Sequence, residues 1–257
     1  MNSLKADFLL LQDFMQRLPS PAALVWMMLG LLLGWWMYVP IHELLHVLGV
    51  VWPGGEATRL ELSPIYGADW LARVFPFVVS GSDYAGQLTG FDTNGSDWIY
   101  QSCVLMPFVL TVFPGFWLWQ KTLSAPGQPG VGRTMLAGAG FVLVAAPLVS
   151  LTGDYYESGS IIGSQLLAEP MGRELQDWRS DDLFRLIGEW PGELTGGDIL
   201  GIGLSAVLSV VLALVTMWLG STLGRALGAI HPDHASRSPT SPTAPAQSAP
   251  QSFEDPS

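Results

Sequence analysis

The apolar positions of this chain fall into long runs rather than short periodic faces. One apolar run begins near Ala22, is free of charged residues through Val39, and continues past Pro40 into IHELLHVLGVVW. Similar runs recur at about 103–119, CVLMPFVLTVFPGFWLW, at about 134–152, and at about 199–220. About 20 apolar residues in a helix cross the roughly 30 Å of bilayer hydrocarbon. The pattern therefore predicts four membrane spans, at about 22–52, 103–119, 134–152 and 199–220. Pro40 is expected to kink the first. Pro107 and Pro114 interrupt the second, which bilayer helices tolerate when neighbours re-satisfy the freed backbone groups.

Ahead of the spans, Leu4, Phe8, Leu11, Met15 and Leu18 recur at helical spacing between Lys5, Asp7, Gln12, Asp13 and Gln16. Residues 1–20 thus read as an amphipathic helix lying on the membrane surface, without the small-residue cleavage site of a secretory leader. Two stretches, 53–102 and 153–195, are expected outside the membrane. In the first, ATRLEL alternates like a half-exposed strand among Gly-, Asp-, Asn- and Ser-rich loops. The second is rich in Asp, Glu and Arg. Residues 231–257 form a Pro-, Ser- and Ala-rich tail that cannot bury a core and is expected to be disordered. The fold class that follows is an all-α polytopic membrane protein over 21–230, with an N-terminal interfacial helix and a small extramembrane insertion of short strands. Gly30 and Gly34, and Gly220, Gly224 and Gly228, recur at four-residue spacing, as close helix packing requires.

Composition sharpens the class. Of 257 residues 49% are hydrophobic and 13% are charged, about half the charge of a soluble domain. The net charge of -11, with 11 basic residues in all, argues against nucleic acid as a partner. The bilayer is the first partner implied. The one cysteine, Cys103, opens an apolar run and reads as a packing residue. The face holding the N-terminus, the 121–133 loop and the tail carries Lys5, Arg17, Lys121, Arg133, Arg225 and Arg237. The other carries Arg59, Arg73, Arg173, Arg179 and Arg185, a small excess that favours the first face as the cytoplasmic one.

The chemistry is concentrated in His42, Glu43 and His46, the motif HELLH. On a helix the two histidines share a face, and their imidazoles can converge on one Zn2+ ion. Glu43, one residue round, can act as general base on a water at the fourth coordination position. An ionisable side chain within a span costs roughly 2.5–3.5 kcal/mol, so an idle glutamate between two histidines would be an expensive accident. A third ligand is needed, and the other histidines, His231 and His234, lie in the tail. The end of the third span, LTGDYYES, offers Asp154, with Glu157 in reserve three residues on. Spans one and three run parallel, and His42 and Asp154 each lie about twenty residues in, at similar depth. The plainer reading of Asp154 is a carboxylate marking the end of a span. Asp83, Asp92 and Asp97 are weaker candidates in a Gly-rich segment. Tyr155 and Tyr156 suit either an oxyanion donor or an interfacial anchor.

The run HELLHVLGVVWPGGEATRLEL resembles the site-2 protease family of intramembrane zinc metalloproteases, in which HExxH lies in a core span and a Gly-containing turn leads to a short strand. The resemblance covers about 22–62 and 140–160. It implies His42 and His46 as zinc ligands, Glu43 as base and an aspartate on a later core span as third ligand, the position of Asp154. LTGDY stands where that family usually carries LDG. The expected function is then hydrolysis of peptide bonds in membrane-protein or peptide substrates, with a substrate strand added to the edge of ATRLEL. Two other classes fit the same residues: a non-proteolytic membrane subunit with a structural metal, closed by both Asp154 and Glu157, and a metal-free membrane scaffold.

Overall fold

The computed structural model describes residues 2–82, 84–190 and 192–230; the expected tail, 231–257, and Asp83 lie outside them. Helix α1 spans Asn2–Gln16 and α2 Ala22–Val51. A sheet follows, built from β1 (Glu56–Leu62), β2 (Val78–Ser80) and β3 (Gly86–Asp92), with helix α3 (Ala68–Val74) between the first two strands. Then come α4 (Asp97–Leu105), α5 (Phe116–Ser124), α6 (Val131–Val149), α7 (Asp154–Leu167), α8 (Leu183–Gly188) and α9 (Gly196–Ala226). Four helical segments, Ala22–Val51, Asp97–Ser124, Val131–Leu167 and Gly196–Ala226, are long and apolar enough to cross a membrane. The molecule is a mostly helical, multi-span architecture with one small sheet.

The spans differ instructively from their sequence outlines. Helix α2 runs without interruption through Pro40. The second span starts earlier, at Asp97, and is broken where the prolines demanded it: a 3-10 turn at Met106–Phe108 and a π-type segment at Thr111–Gly115 separate α4 from α5. The third does not end at 152. Helix α6 stops at Val149, the backbone turns through Ser150 to Gly153, and α7 carries on from Asp154. The start of the stretch expected outside the membrane is therefore a packed helix. Its Gly159 and Gly163 lie against Ser205 and Ser209 of α9, where a Cβ at Gly159 would overlap the Ser205 carbonyl. Small residues allow this approach because TM helices associate by close packing rather than by a hydrophobic drive.

The glycine pattern on α2 has the meaning expected of it. A Cβ on Gly30 would overlap the backbone of Met135, and one on Gly34 would overlap that of Ala139. The two pairs keep one offset, so α2 and α6 run parallel in register, and the level of His42 and His46 corresponds to residues 147–151 at the end of α6. Gly220 and Gly224 likewise seat α9 against Phe116 and Gln120. Gly228 differs. It has φ +70 and nothing close to its Cβ position, so it ends the helix rather than packing it.

The inward face of helix α1 is rotated from its apolar stripe: Leu4, Leu11 and Leu18 pack partly buried against the core, but the centre of the contact falls elsewhere. Asp7, Leu10 and Phe14 are buried, while Phe8 is 67% exposed. Leu10 and Phe14 join Phe116, Trp119 and Leu123 in a core cluster. Asp7 pairs with Arg225 of α9 and accepts from Gln120 Nε2 of α5 at 2.9 Å. A buried ion pair of this kind specifies the docking, since either partner alone would be a stranded charge. Burial holds the Asp7 carboxyl above the usual carboxylate range, opposed by Ser221, Arg225 and Gln120.

In the sheet the strand order is β2-β1-β3, with β1 parallel to β2 and antiparallel to β3. The strand ATRLEL is therefore the middle of the sheet: it pairs with β3 along its length and with β2 over Leu60–Leu62, so among its described residues only Ala57–Arg59 lack a second partner strand. Leu60 and Leu62 point into a cluster with Val39 and Val47 of α2, which fixes the alternation and lays the sheet along the C-terminal half of that helix.

Candidate metal centre

On α2, Tyr38, His42 and His46 stand at i, i+4 and i+8, one stripe facing the bundle interior. His42 and His46 are each 8% exposed, and their Nε2 atoms approach to 3.0 Å. Asp154, the first residue of α7, closes the group: its Oδ2 lies 3.2 Å from His42 Nε2 and its Oδ1 3.7 Å from His46 Nε2. Ligands about 2.0–2.1 Å from a tetrahedral ion stand about 3.3–3.4 Å apart. The three observed separations bracket that edge, with two imidazole nitrogens and one carboxylate. These residues can hold a metal ion.

The break between α6 and α7 is what aims Asp154. A continuous helix would carry residue 154 past the level of the histidines, whereas the turn at residues 150–153 restarts the helix beside them. Tyr155 N–H then closes onto the Ser150 carbonyl at 3.1 Å, and Glu157 N–H onto the Gly153 carbonyl at 2.9 Å. The plainer alternative, a carboxylate at a helix C-terminus, is overturned: Asp154 opens a helix, where a negative charge is favoured.

No family model, curated protein or solved structure matches the chain. The site is accordingly read from its own geometry. The other nitrogen of each histidine is held. His46 Nδ1 meets the backbone carbonyl of Cys103 at 2.9 Å, and His42 Nδ1 meets the Tyr38 hydroxyl at 2.8 Å. A carbonyl only accepts, so His46 Nδ1 carries the hydrogen and its Nε2 lone pair faces the cluster. Phe108 stands edge-on to the His42 ring at 5.7 Å.

The triad opens on a cavity of about 1190 Å³. Glu43 lines it at 8% exposure and makes no hydrogen bond or ion pair with any described residue. Residues 84–89 and Phe91, on and just before β3, form the opposite wall. Among the described residues the outer edge of β3 has no partner strand. It is β3, not β1, that lines the cavity.

The remaining candidates are placed elsewhere. Glu157 lines the cavity but is engaged by the Tyr100 hydroxyl, and it is not part of the group that can hold an ion. Asp92 caps a turn by accepting from Asn94 N–H at 2.7 Å. Asp97 pairs with Arg179 at 2.6 Å. Tyr155 and Tyr156 are fully buried, so neither is an interfacial anchor, and neither lines the cavity; Tyr155 packs on Phe108 and Tyr156 donates to the Trp178 carbonyl at 3.2 Å. Cys103 is buried as expected, yet its carbonyl has a task that no side-chain reading would detect. Sequence reasoning also missed Tyr38 and Gly86. Tyr38 left a signal, the helical stripe it shares with the histidines, whereas Gly86 left none.

Proposed function

We propose that this protein is a membrane-embedded zinc metalloprotease that hydrolyses peptide bonds of membrane-protein or peptide substrates. The observation that carries the reading is Glu43, a buried carboxylate with no hydrogen-bond or ion-pair partner among the described residues, set in the cavity wall beside three groups able to hold an ion. Such a carboxylate is costly in hydrocarbon unless it meets a polar group from within the cavity. The same HELLH carries the resemblance to the site-2 protease family.

In this reading His42, His46 and Asp154 hold Zn2+. When bound, the ion supplies Lewis-acid polarisation of a carbonyl and lowers the pKa of water towards roughly 7. Glu43 accepts a proton from the attacking water as its oxygen bonds to the peptide carbon, then delivers it to the amine nitrogen as the C–N bond breaks. The unpaired edge of β3 supports an extended peptide by main-chain hydrogen bonds, leaving the alternating walls of the cavity to its side chains.

The test is Glu43→Gln in detergent-solubilised full-length protein, assayed with a quenched peptide library. Zinc content is expected to persist while hydrolysis disappears. Hydrolysis retained in that variant, or a wild-type protein that takes up no zinc, would overturn the proposal.

A further inference from the structure

The two histidines of the cluster are held on their outer nitrogens by unlike partners. For His46 the partner is a carbonyl, which leaves one choice of tautomer. For His42 it is the hydroxyl of Tyr38, which can donate or accept, so the tautomer is decided by what the other nitrogen does. If Nε2 of His42 gives its lone pair to a metal, Nδ1 must carry the hydrogen and donate to the Tyr38 oxygen. The phenol is well placed to receive it. Tyr38 is 5% exposed, its ring stands 5.1 Å from that of His42 and 6.0 Å from that of Trp35, and its helix is packed on α6 through the glycine contacts around Gly34. A buried ring with few rotamers holds its oxygen in one place, and therefore holds the imidazole.

We propose that Tyr38 is the positioning residue of the metal centre, orienting His42 and stabilising the tautomer in which Nε2 is the ligand atom. The inference rests on the metal reading of His42, His46 and Asp154, but not on proteolysis. It gives Tyr38 the part that a carbonyl or carboxylate more often plays behind a metal-bound histidine. It also gives a role to the Tyr38 hydroxyl, buried in a cluster with Phe108, Val142, Ala146, Tyr155 and Ala213.

The experiment measures zinc affinity by chelator competition, and the visible spectrum after cobalt substitution, for the full-length protein in detergent. Wild type is compared with Tyr38→Phe and Tyr155→Phe. Both variants remove one buried hydroxyl and keep the ring, but the Tyr155 ring lies against Phe108 rather than against either histidine. Tyr38→Phe is expected to weaken zinc binding by about 10–100-fold and to shift the cobalt bands. Tyr155→Phe is expected to leave both unchanged, which separates positioning from a general loss of packing. Wild-type affinity and spectrum in Tyr38→Phe, or equal losses in the two variants, would overturn the assignment. A wild type that binds neither metal would instead remove the metal reading on which it rests.

Discussion

Gly86 of β3 lies so close to Glu43 of α2 that a Cβ at 86 would overlap the Cγ and Cδ of the glutamate. The strand backbone is thus a stop against which the Glu43 side chain rests, and only glycine lets it come so near. Gly86→Ala is expected to push the carboxylate aside without touching a candidate ligand. Zinc content should stay at the wild-type level, while peptide hydrolysis falls by roughly 100-fold, the scale of a displacement of about 1 Å in a reacting group. Undiminished hydrolysis in Gly86→Ala would show that the strand does not position the base.

Metal content by elemental analysis separates a metal-free scaffold from the two metal-holding classes of function that the sequence left open. About one zinc per chain is expected in wild type, falling to background in His46→Ala and in Asp154→Ala, since each removes one corner of the group. Glu157→Gln should keep its zinc, because its carboxylate is held by Tyr100. Loss of zinc in Glu157→Gln would point to a closed, structural site.

The seat of α7 on α9 should matter to the site at a distance. A Cβ at Gly159 would overlap the Ser205 carbonyl, so Gly159→Val must force the helices apart, an overpacking that costs typically 1–3 kcal/mol, on the order of a tenth or more of a domain's stability. Because Asp154 opens the same helix, zinc affinity should drop although no ligand is altered. Affinity equal to wild type in a folded Gly159→Val protein would uncouple helix packing from ligand placement.

Docking of α1 should weaken as pH rises. Burial raises the Asp7 carboxyl above its ordinary value, so the folded state holds this proton more tightly than the unfolded chain. That contribution is complete below the ordinary carboxylate range and is lost as pH climbs through the raised folded value. Limited proteolysis in the 17–21 link is expected to quicken over that interval in wild type and to show a smaller change in Asp7→Asn. Identical pH profiles would remove Asp7 as the cause.

Much of this protein is legible in its sequence because a bilayer constrains sequence strongly. Four long apolar runs, the glycines that let α2 lie on α6, and the HELLH motif are local patterns whose physical cause needs no knowledge of the fold. Asp154 was reached by counting depth along two parallel spans, and the register set by Gly30 and Gly34 is why the count was close. The boundaries were less legible: α1 buries Asp7 rather than Phe8, because its partner Arg225 lies more than two hundred residues away. So too with the strand at 57–62, whose alternation announced a strand but not its place in the middle of a sheet.

By itself, then, the sequence determined that the chain forms helices long and apolar enough to cross a membrane and that two histidines on one helical turn face the same way, since helix geometry and hydrophobicity act over neighbouring residues. Tertiary structure alone decided that the chain breaks at 150–153 to aim Asp154, that the Cys103 carbonyl and Tyr38 hold the histidines, that β3 supplies the free edge, and that Gly86 props Glu43. Each of these depends on a backbone brought in from a distant segment, and no local pattern records where such a segment will come to rest.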